Sequence, residues 1–505
     1  MHFAQHGVSP TQTDSTAEPA STLRSPTARA WFAVQAIVIA ASLIVGLYRL
    51  SSPSIWFDEA YTWYIVSGDW PRLWHETARG NDCGGFVYAL ILKLWTIPFG
   101  HGEISLRLPS VLSAAATATV LVQIGKELHS LRAGLFMAVL TVFHPEVIIW
   151  SRQARAYSLE ILLTAVYLLA YLRYSRTYDR RSGVLTAVVG TLLCLTHLFG
   201  VFVVAGSGLH LLIRRFSPTA SSAAQRLFAV WPTLIPVPFL TAWTLALRSR
   251  IDENLSSFWI QASLFDSYRG MVNSFGILVP LTAVCCFVGG IRVLQGRATA
   301  EERLMLAAVG CVALSIFSGP LLVSMLSRGR HHFIIERYHF PALVLMFICV
   351  GYYAARLPLK PTLLAVTAVS AIVFHKRNVR NVYEFEALDG SRTRDAAAYL
   401  ERHRLPGDVV FVEPNYERVT ALYYGIHGSS SSPPDAIADS MTIPATIPAV
   451  SPAAPDLRKW VMVYRVGPEE IVAPFGERDA PQTAFGTLRL VLLDPARRRA
   501  VPAND

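Results

Sequence analysis

Ser54-Ile55-Trp56-Phe57-Asp58-Glu59-Ala60-Tyr61-Thr62-Trp63-Tyr64 follows directly on the first long apolar segment of the chain and sets two adjacent acids among aromatic residues. Aromatic rings concentrate where a membrane meets water. Ionised groups at such a depth are costly and are kept for a task or for a buried ion pair. The reading of this stretch therefore depends on whether the rest of the chain crosses a membrane many times.

Composition says that it does. Of 505 residues, 52% are hydrophobic and only 16% charged, and the mean hydropathy is +0.38. A soluble domain of that length would carry more charge. The net charge of +10 does not mark a nucleic-acid binder, because the arginines punctuate apolar segments instead of forming one stripe. Five of the six cysteines, Cys194, Cys285, Cys286, Cys311 and Cys349, lie inside apolar runs and only Cys83 lies elsewhere. Neither a disulfide framework nor a CxxC metal site is present.

Outward from the acidic stretch, residues 1–29 are rich in Ser, Thr, Pro and Ala and are expected to be a disordered cytoplasmic tail. Residues 30–50 are nearly all apolar, enough to cross a hydrocarbon core of about 30 Å. The apolar run 84–99 is too short for a span, and counting it as one would put the next basic loops on the wrong side. It is expected to lie along the outer interface, within a first external loop of 51–103. Spans at 104–124, 133–150 and 158–174 follow, the last ending in Arg173, Arg176, Arg180 and Arg181, a strong positive-inside signal. Further runs at 183–198, 202–213, 227–247, 277–294, 304–326, 340–355 and 363–374 complete roughly eleven spans. The fold class expected is a polytopic α-helical membrane protein, with a catalytic or transport unit over 30–376.

From about residue 377 the composition turns soluble. A helical pattern at 394–402 leads through Pro406-Gly407 into short β-rich runs at 409–412, 460–464 and 488–493. Residues 377–505 thus read as a small extracytoplasmic α/β domain, interrupted by a flexible Ser/Pro/Ala insertion at 429–455. It carries no dinucleotide, P-loop, zinc or nucleophile-elbow motif, and the chain has no repeat of solenoid length.

In that topology the outer face gathers Asp58 and Glu59, Arg152, Arg155 and Tyr157, His197, and finally Arg328, Arg330, Arg337 and Tyr338. A single arginine at a helix end is as readily an interfacial anchor. For the set that reading strains, because external arginines run against the usual charge bias. A phosphorylated lipid would explain them: the guanidinium fork binds phosphate oxygens, and cations stabilise a phosphate leaving group as its charge develops. A carboxylate across the sugar could accept the proton of an attacking hydroxyl.

The chain resembles the GT-C superfamily of membrane glycosyltransferases, in particular the bacterial family 39-like branch related to protein O-mannosyltransferases and the lipid A aminoarabinose transferase. The resemblance rests on Trp56-Phe57-Asp58-Glu59-Ala60-Tyr61, Leu106-Arg107-Leu108-Pro109-Ser110, Ser151-Arg152-Gln153-Ala154-Arg155-Ala156-Tyr157, Thr196-His197 and Glu336-Arg337-Tyr338-His339-Phe340-Pro341, in the family's order over residues 30–375. It implies an inner (plasma) membrane, multi-pass transferase of the cell envelope. Its site would face the periplasm and pass a sugar, with inversion, from a polyprenyl-phosphate donor to a lipid, glycan or protein hydroxyl. By position, Asp58 is then the catalytic base and Glu59 its supporting neighbour. Arg155 and Arg337 become donor-phosphate ligands, with Arg107, Tyr157 and Tyr338 shaping that pocket. Arg107 reads equally as an interfacial helix start, Tyr157 and Tyr338 as aromatic-belt residues, and His197 first as a helix-end histidine and second as a substrate contact. Arg152 is a further candidate substrate-binding residue.

Two departures stand out. Many relatives carry His-Pro-Pro before the short apolar helix of the first loop, whereas this chain has Asn81-Asp82-Cys83-Gly84-Gly85, and Asp82 becomes a candidate extra ligand. The Arg-Tyr motif lacks a second proline near Val344. No cofactor is expected; the family is divided over divalent metal, and no cluster here demands one. A non-catalytic transporter or flippase of lipid-linked sugars is the alternative, and it should show broken half-helices or repeat symmetry. A binding module on a membrane anchor would not need so many spans.

Overall fold

The structure, a computed structural model, describes residues 28–78, 85–215, 229–242, 264–326, 336–358, 360, 362, 390–430, 457–464 and 481–494. It is mostly helical. Helices α1 (Ala28–Leu47), α2 (Phe57–Ser67), α3 (Trp70–Ala78), α4 (Phe86–Phe99) and α5 (Glu103–Glu127) are followed by α6 (Leu131–Phe143), α7 (Pro145–Ser151), α8 (Tyr157–Thr177), α9 (Arg180–Thr196) and α10 (Gly200–Arg215). Then come the short α11 (Trp231–Leu234), α12 (Leu264–Phe275), α13 (Leu278–Leu294), α14 (Ala300–Leu326) and, after a 3-10 turn at Glu336–His339, α15 (Pro341–Ala354).

Among the described residues, two helices, α5 and α14, are long and apolar enough to cross a membrane by themselves. Two bent pairs, α6 with α7 and α12 with α13, raise the number to four. The roughly eleven spans counted from the sequence are not established on this criterion. Several elements are shorter than their apolar runs, and the last run, 363–374, lies outside the described residues. Helix α4 has 14 residues, about 21 Å at 1.5 Å per residue. It buries Val87, Leu92 and Thr96 while exposing Ile91, Leu94, Ile97 and Phe99, so its exposed face is apolar as well.

Three local features of the bundle bear on the site. Ser113, Thr117, Thr119, Thr141, Thr186 and Ser207 donate their hydroxyls to the carbonyl four residues earlier, so apolar helices carry polar side chains without leaving a donor unmet. At His144-Pro145 the ring of proline forces the preceding residue extended (ψ 124°). Helix α7 therefore leaves α6 at 60° and delivers the turn 152–156 to the acidic helix. Helices α5 and α6 cross closely: a Cβ on Gly125 would collide with the Gly134 backbone and stand 2.9 Å from the Ser130 carbonyl oxygen. Leu121, Ile124, Met137, Ile148, Tyr171 and Phe347 belong to the core around that crossing.

At the C-terminal end, α16 (Thr393–His403), β1 (Val409–Glu413), α17 (Arg418–Tyr423), β2 (Lys459–Tyr464), β3 (Gln482–Phe485) and β4 (Leu488–Leu493) build a four-stranded sheet of order β1-β2-β4-β3. Strand β1 runs parallel to β2, with Val409 opposite Lys459, and β4 is antiparallel to both β2 and β3. Ala396 and Leu400 of α16 share one core with Val410, Val412 and Met462. Ser429, the first residue of the expected insertion, belongs to the sheet edge, where it exchanges backbone hydrogen bonds with Val410 and Val412. Residues 431–456 lie outside the described residues.

Candidate functional site

The acidic pair opens α2. Trp56 is extended (φ −102°, ψ 172°), the helix starts at Phe57, and Asp58 and Glu59 occupy its first turn, where the positive end of the helix dipole favours negative charge. Neighbours on a helix point about 100° apart, so the two carboxylates enter different surroundings.

Glu59 is fully enclosed. Arg107 donates to it in a fork, Nε to Oε1 at 2.8 Å and Nη2 to Oε2 at 2.7 Å, and the Ala154 backbone N–H donates to Oε1 at 2.8 Å. The Arg107 Nη1 group donates to the Leu50 and Pro53 carbonyls (2.9 and 3.0 Å), and Nη2 also to that of Ser54 (3.0 Å). One carboxylate thus ties α2 to α5 and to the turn at 152–156. Arg107, read equally as a residue of the donor pocket and as an interfacial helix start, is 0% exposed and directs these donors at the protein, as a clamp would.

Arg152, expected as a substrate contact, is likewise turned inward. It donates to the carbonyls of Gly46, Tyr48 and Arg49 (Nη2 to Arg49 at 2.9 Å). These carbonyls stand at the C-terminal end of α1, where a helix leaves its acceptors unmet. Arg49 there takes a left-handed φ of 52°, and a cation completes the cap.

Asp58 is different. Its side chain is 18% exposed, and its carboxylate lies 3.8 Å from the Arg155 guanidinium. Arg155 also donates to the Asp58 carbonyl (3.3 Å) and to Thr62 Oγ1 (3.2 Å), one turn along α2. Its backbone is held by Ser110, which donates to the Arg155 carbonyl at 3.2 Å and shares a hydrogen bond with Tyr88 of α4. The Arg155 guanidinium stands 5.8 Å from the Tyr157 ring centre, and the Arg337 guanidinium 5.9 Å from that of Tyr338. Burial works against the charge of Arg337, and the Asp58 carboxylate is among the groups that offset it and hold its pKa above the usual value. Arg337 thus shares the field of Asp58, although the two lie in distant parts of the chain. Tyr157 and Tyr338 flank His197, with ring centres at 5.8 and 5.1 Å.

The structure therefore brings together Asp58, Arg155, Tyr157, Arg337, Tyr338 and His197. Asp82, Arg328 and Arg330 lie outside the described residues. His197 is buried, its Nδ1 3.0 Å from Glu160 Oε1, so it faces an acid inside the protein. Glu160 is not among the residues that the sequence singles out. The signal was present, since an acid within an apolar run is costly and needs a partner. Also unforeseen is the roof: Tyr416 meets the Phe57 ring edge-on at 5.1 Å and Tyr423 meets Trp63 at 5.2 Å, both from the C-terminal α/β unit.

The described residues thus form a helical bundle with an acid-bearing helix just after its first long helix, a short apolar helix after that, and a small α/β unit docked against them. No protein-family model matches the sequence, and no curated protein matches it at the level of sequence. In fold, the chain is similar to ArnT from Cupriavidus metallidurans. The crystal structure of ArnT in the apo state superposes with a TM-score of 0.60 at 13% identity, covering 90% of this chain and 97% of that one. The structure of ArnT bound to undecaprenyl phosphate also gives 0.60 and 13%, covering 92% and 98%.

Proposed function

We propose that this chain is an integral-membrane glycosyltransferase that passes a sugar from a polyprenyl-phosphate donor to a hydroxyl of a lipid, glycan or protein, at the outer face of a cell inner membrane. The observation that carries this reading is the unequal treatment of the two acids. Glu59 is sealed by Arg107, while Asp58 stays reachable, beside Arg155 and in the field of Arg337. The fold shared with ArnT, one of whose structures holds undecaprenyl phosphate, supports the donor class.

In the reaction, the Asp58 carboxylate accepts the acceptor's hydroxyl proton as its oxygen attacks the anomeric carbon. The bond from that carbon to the phosphate oxygen breaks, inverting the centre and releasing polyprenyl phosphate with one more negative charge. Arg155 and Arg337 offset that charge where it develops. Tyr157 and Tyr338 line the same place. Sugar and acceptor classes are set by groups beyond this cluster.

The test is Asp58→Asn in purified protein, reconstituted in lipid vesicles with a panel of radiolabelled undecaprenyl-phosphate hexoses and pentoses and a mixture of lipid, glycan and protein acceptors. Removing a general base costs about 10²- to 10⁴-fold in rate, so transfer should fall at least about a hundredfold with undecaprenyl-phosphate binding retained. Full turnover by the variant rules out Asp58 as the base. A transporter of lipid-linked sugars would move label across the membrane without forming a new glycosidic product.

A further inference from the structure

The segment 50–56, between α1 and the acidic helix, is held from two sides. From within the bundle, Arg107 donates to the carbonyls of Leu50, Pro53 and Ser54. From the C-terminal unit, Arg394 of α16 donates through Nη2 to the carbonyls of Ser51 (2.7 Å) and Pro53 (3.1 Å), and its backbone N–H to Ser54 Oγ (3.3 Å). The Pro53 carbonyl therefore accepts from both guanidinium groups.

The same α/β unit reaches the first turn of α5. Arg394 forms a forked ion pair with Glu103, Nε to Oε1 at 3.0 Å with Nη2 on Oε2. Tyr424 donates to Glu103 Oε1 at 2.7 Å and accepts the Ile55 N–H at 2.7 Å. Glu103 and Arg107 stand one turn apart on α5. Two acids and two arginines, Glu59, Arg107, Arg394 and Glu103, thus form one network around a single loop, with Asp58 just beyond its end. Tyr423 extends the dock by donating to the His101 carbonyl at 3.0 Å.

We infer that the C-terminal α/β unit is a latch on the Asp58 helix, and that Glu103, Arg394 and Tyr424 are positioning residues that hold Asp58 against Arg155. The inference deepens the transferase reading and rests on it for its effect on turnover. The three residues act on the chain that leads into Asp58 and not on its carboxylate. A displacement of about 1 Å at a reacting group can cost on the order of a hundredfold in rate, so loosening this loop should reach catalysis without altering the site's own side chains.

The experiment compares the full chain with Glu103→Gln, Arg394→Gln, Arg394→Lys, Tyr424→Phe and the Glu103→Gln/Arg394→Gln double variant. Three quantities are read: amide hydrogen exchange over residues 50–64, affinity for undecaprenyl phosphate, and turnover on whichever donor of the panel the wild-type protein uses. Exchange over 50–64 should rise and turnover fall by roughly tenfold or more, while undecaprenyl phosphate binding stays within about threefold. The double variant should be no worse than the worse single, since both break one pair. Arg394→Lys, which keeps the charge but loses the fork, should fall between. Unchanged exchange overturns the latch. Raised exchange with undiminished turnover overturns the positioning role. If Asp58→Asn retains transfer, Asp58 is not the base, and if no donor is used the transferase reading fails; in either case the exchange measurement still decides whether the α/β unit holds the loop.

Discussion

Replacing Arg107 and Arg155 one at a time by alanine should separate a clamp from a ligand. Arg107 is wholly enclosed, and Arg107→Ala strips Glu59 of both guanidinium bonds, leaves it the Ala154 N–H, and releases the carbonyls of Leu50, Pro53 and Ser54. Breaking a buried ion pair by removing one partner costs about 3–5 kcal/mol. At about 2–4 °C per kcal/mol for a cooperative unit of roughly 200 residues, Tm should fall by roughly 6–20 °C. Arg155 approaches the partly exposed Asp58 carboxylate no nearer than 3.8 Å. Removing this mostly buried guanidinium, with its two hydrogen bonds, should cost about 1.5–3 kcal/mol in stability, less than removing Arg107. It should, however, remove charge-assisted bonds to a phosphate worth about 1.5–3 kcal/mol, which weakens undecaprenyl phosphate binding by about ten- to a hundredfold. Thermal unfolding by intrinsic fluorescence in detergent, with titration of undecaprenyl phosphate, measures both. Replacing the pair together, as Glu59→Gln/Arg107→Met, should recover part of the stability lost by Arg107→Ala, because no carboxylate is then stranded. If Arg107→Ala melts like wild type yet loses undecaprenyl phosphate affinity, the two arginines have been assigned the wrong way round.

Two other substitutions probe the scaffold. Arg152→Ala, which uncaps the end of α1 at Gly46, Tyr48 and Arg49, should lower stability by about 1.5–3 kcal/mol with undecaprenyl phosphate affinity intact; an affinity loss without a change in melting would return Arg152 to the binding site. Gly125→Ala drives a Cβ into the Gly134 backbone, so α5 and α6 must part, at a cost of about 1–3 kcal/mol. At the adjacent position Ile124→Val, which removes one buried methyl, should cost less, about 0.5–1.5 kcal/mol, and equal melting of the two variants would refute the close crossing.

How much of this is legible in the sequence depends on what each residue has to reveal. Apolar runs and their arginine punctuation disclose a helical bundle, because hydrocarbon length and charge placement are properties of a segment. Three of the four strands of the α/β unit, β1, β2 and β4, are legible for a similar reason, being short apolar runs between turns, whereas β3, partly exposed along its length, is not. Asp58 and Glu59 announce a site but not its division of labour, since that is decided by which carboxylate faces Arg107, 48 residues away. Arg107 reads equally as a pocket residue and as an interfacial helix start, and Arg152 as a candidate substrate contact, because a sequence shows a charge near an apolar boundary and not the carbonyls it meets. Here those carbonyls belong to the end of α1 and the loop after it, an irregular stretch of backbone whose acceptors have no partners in a helix or strand. That demand consumes two of the arginines gathered around the acidic helix and leaves Arg155, with Arg337, beside the reachable acid. An arginine count at one end of such a bundle therefore does not by itself measure anion binding, because closing irregular backbone takes guanidinium groups too, and the acceptors within reach of each one show that use.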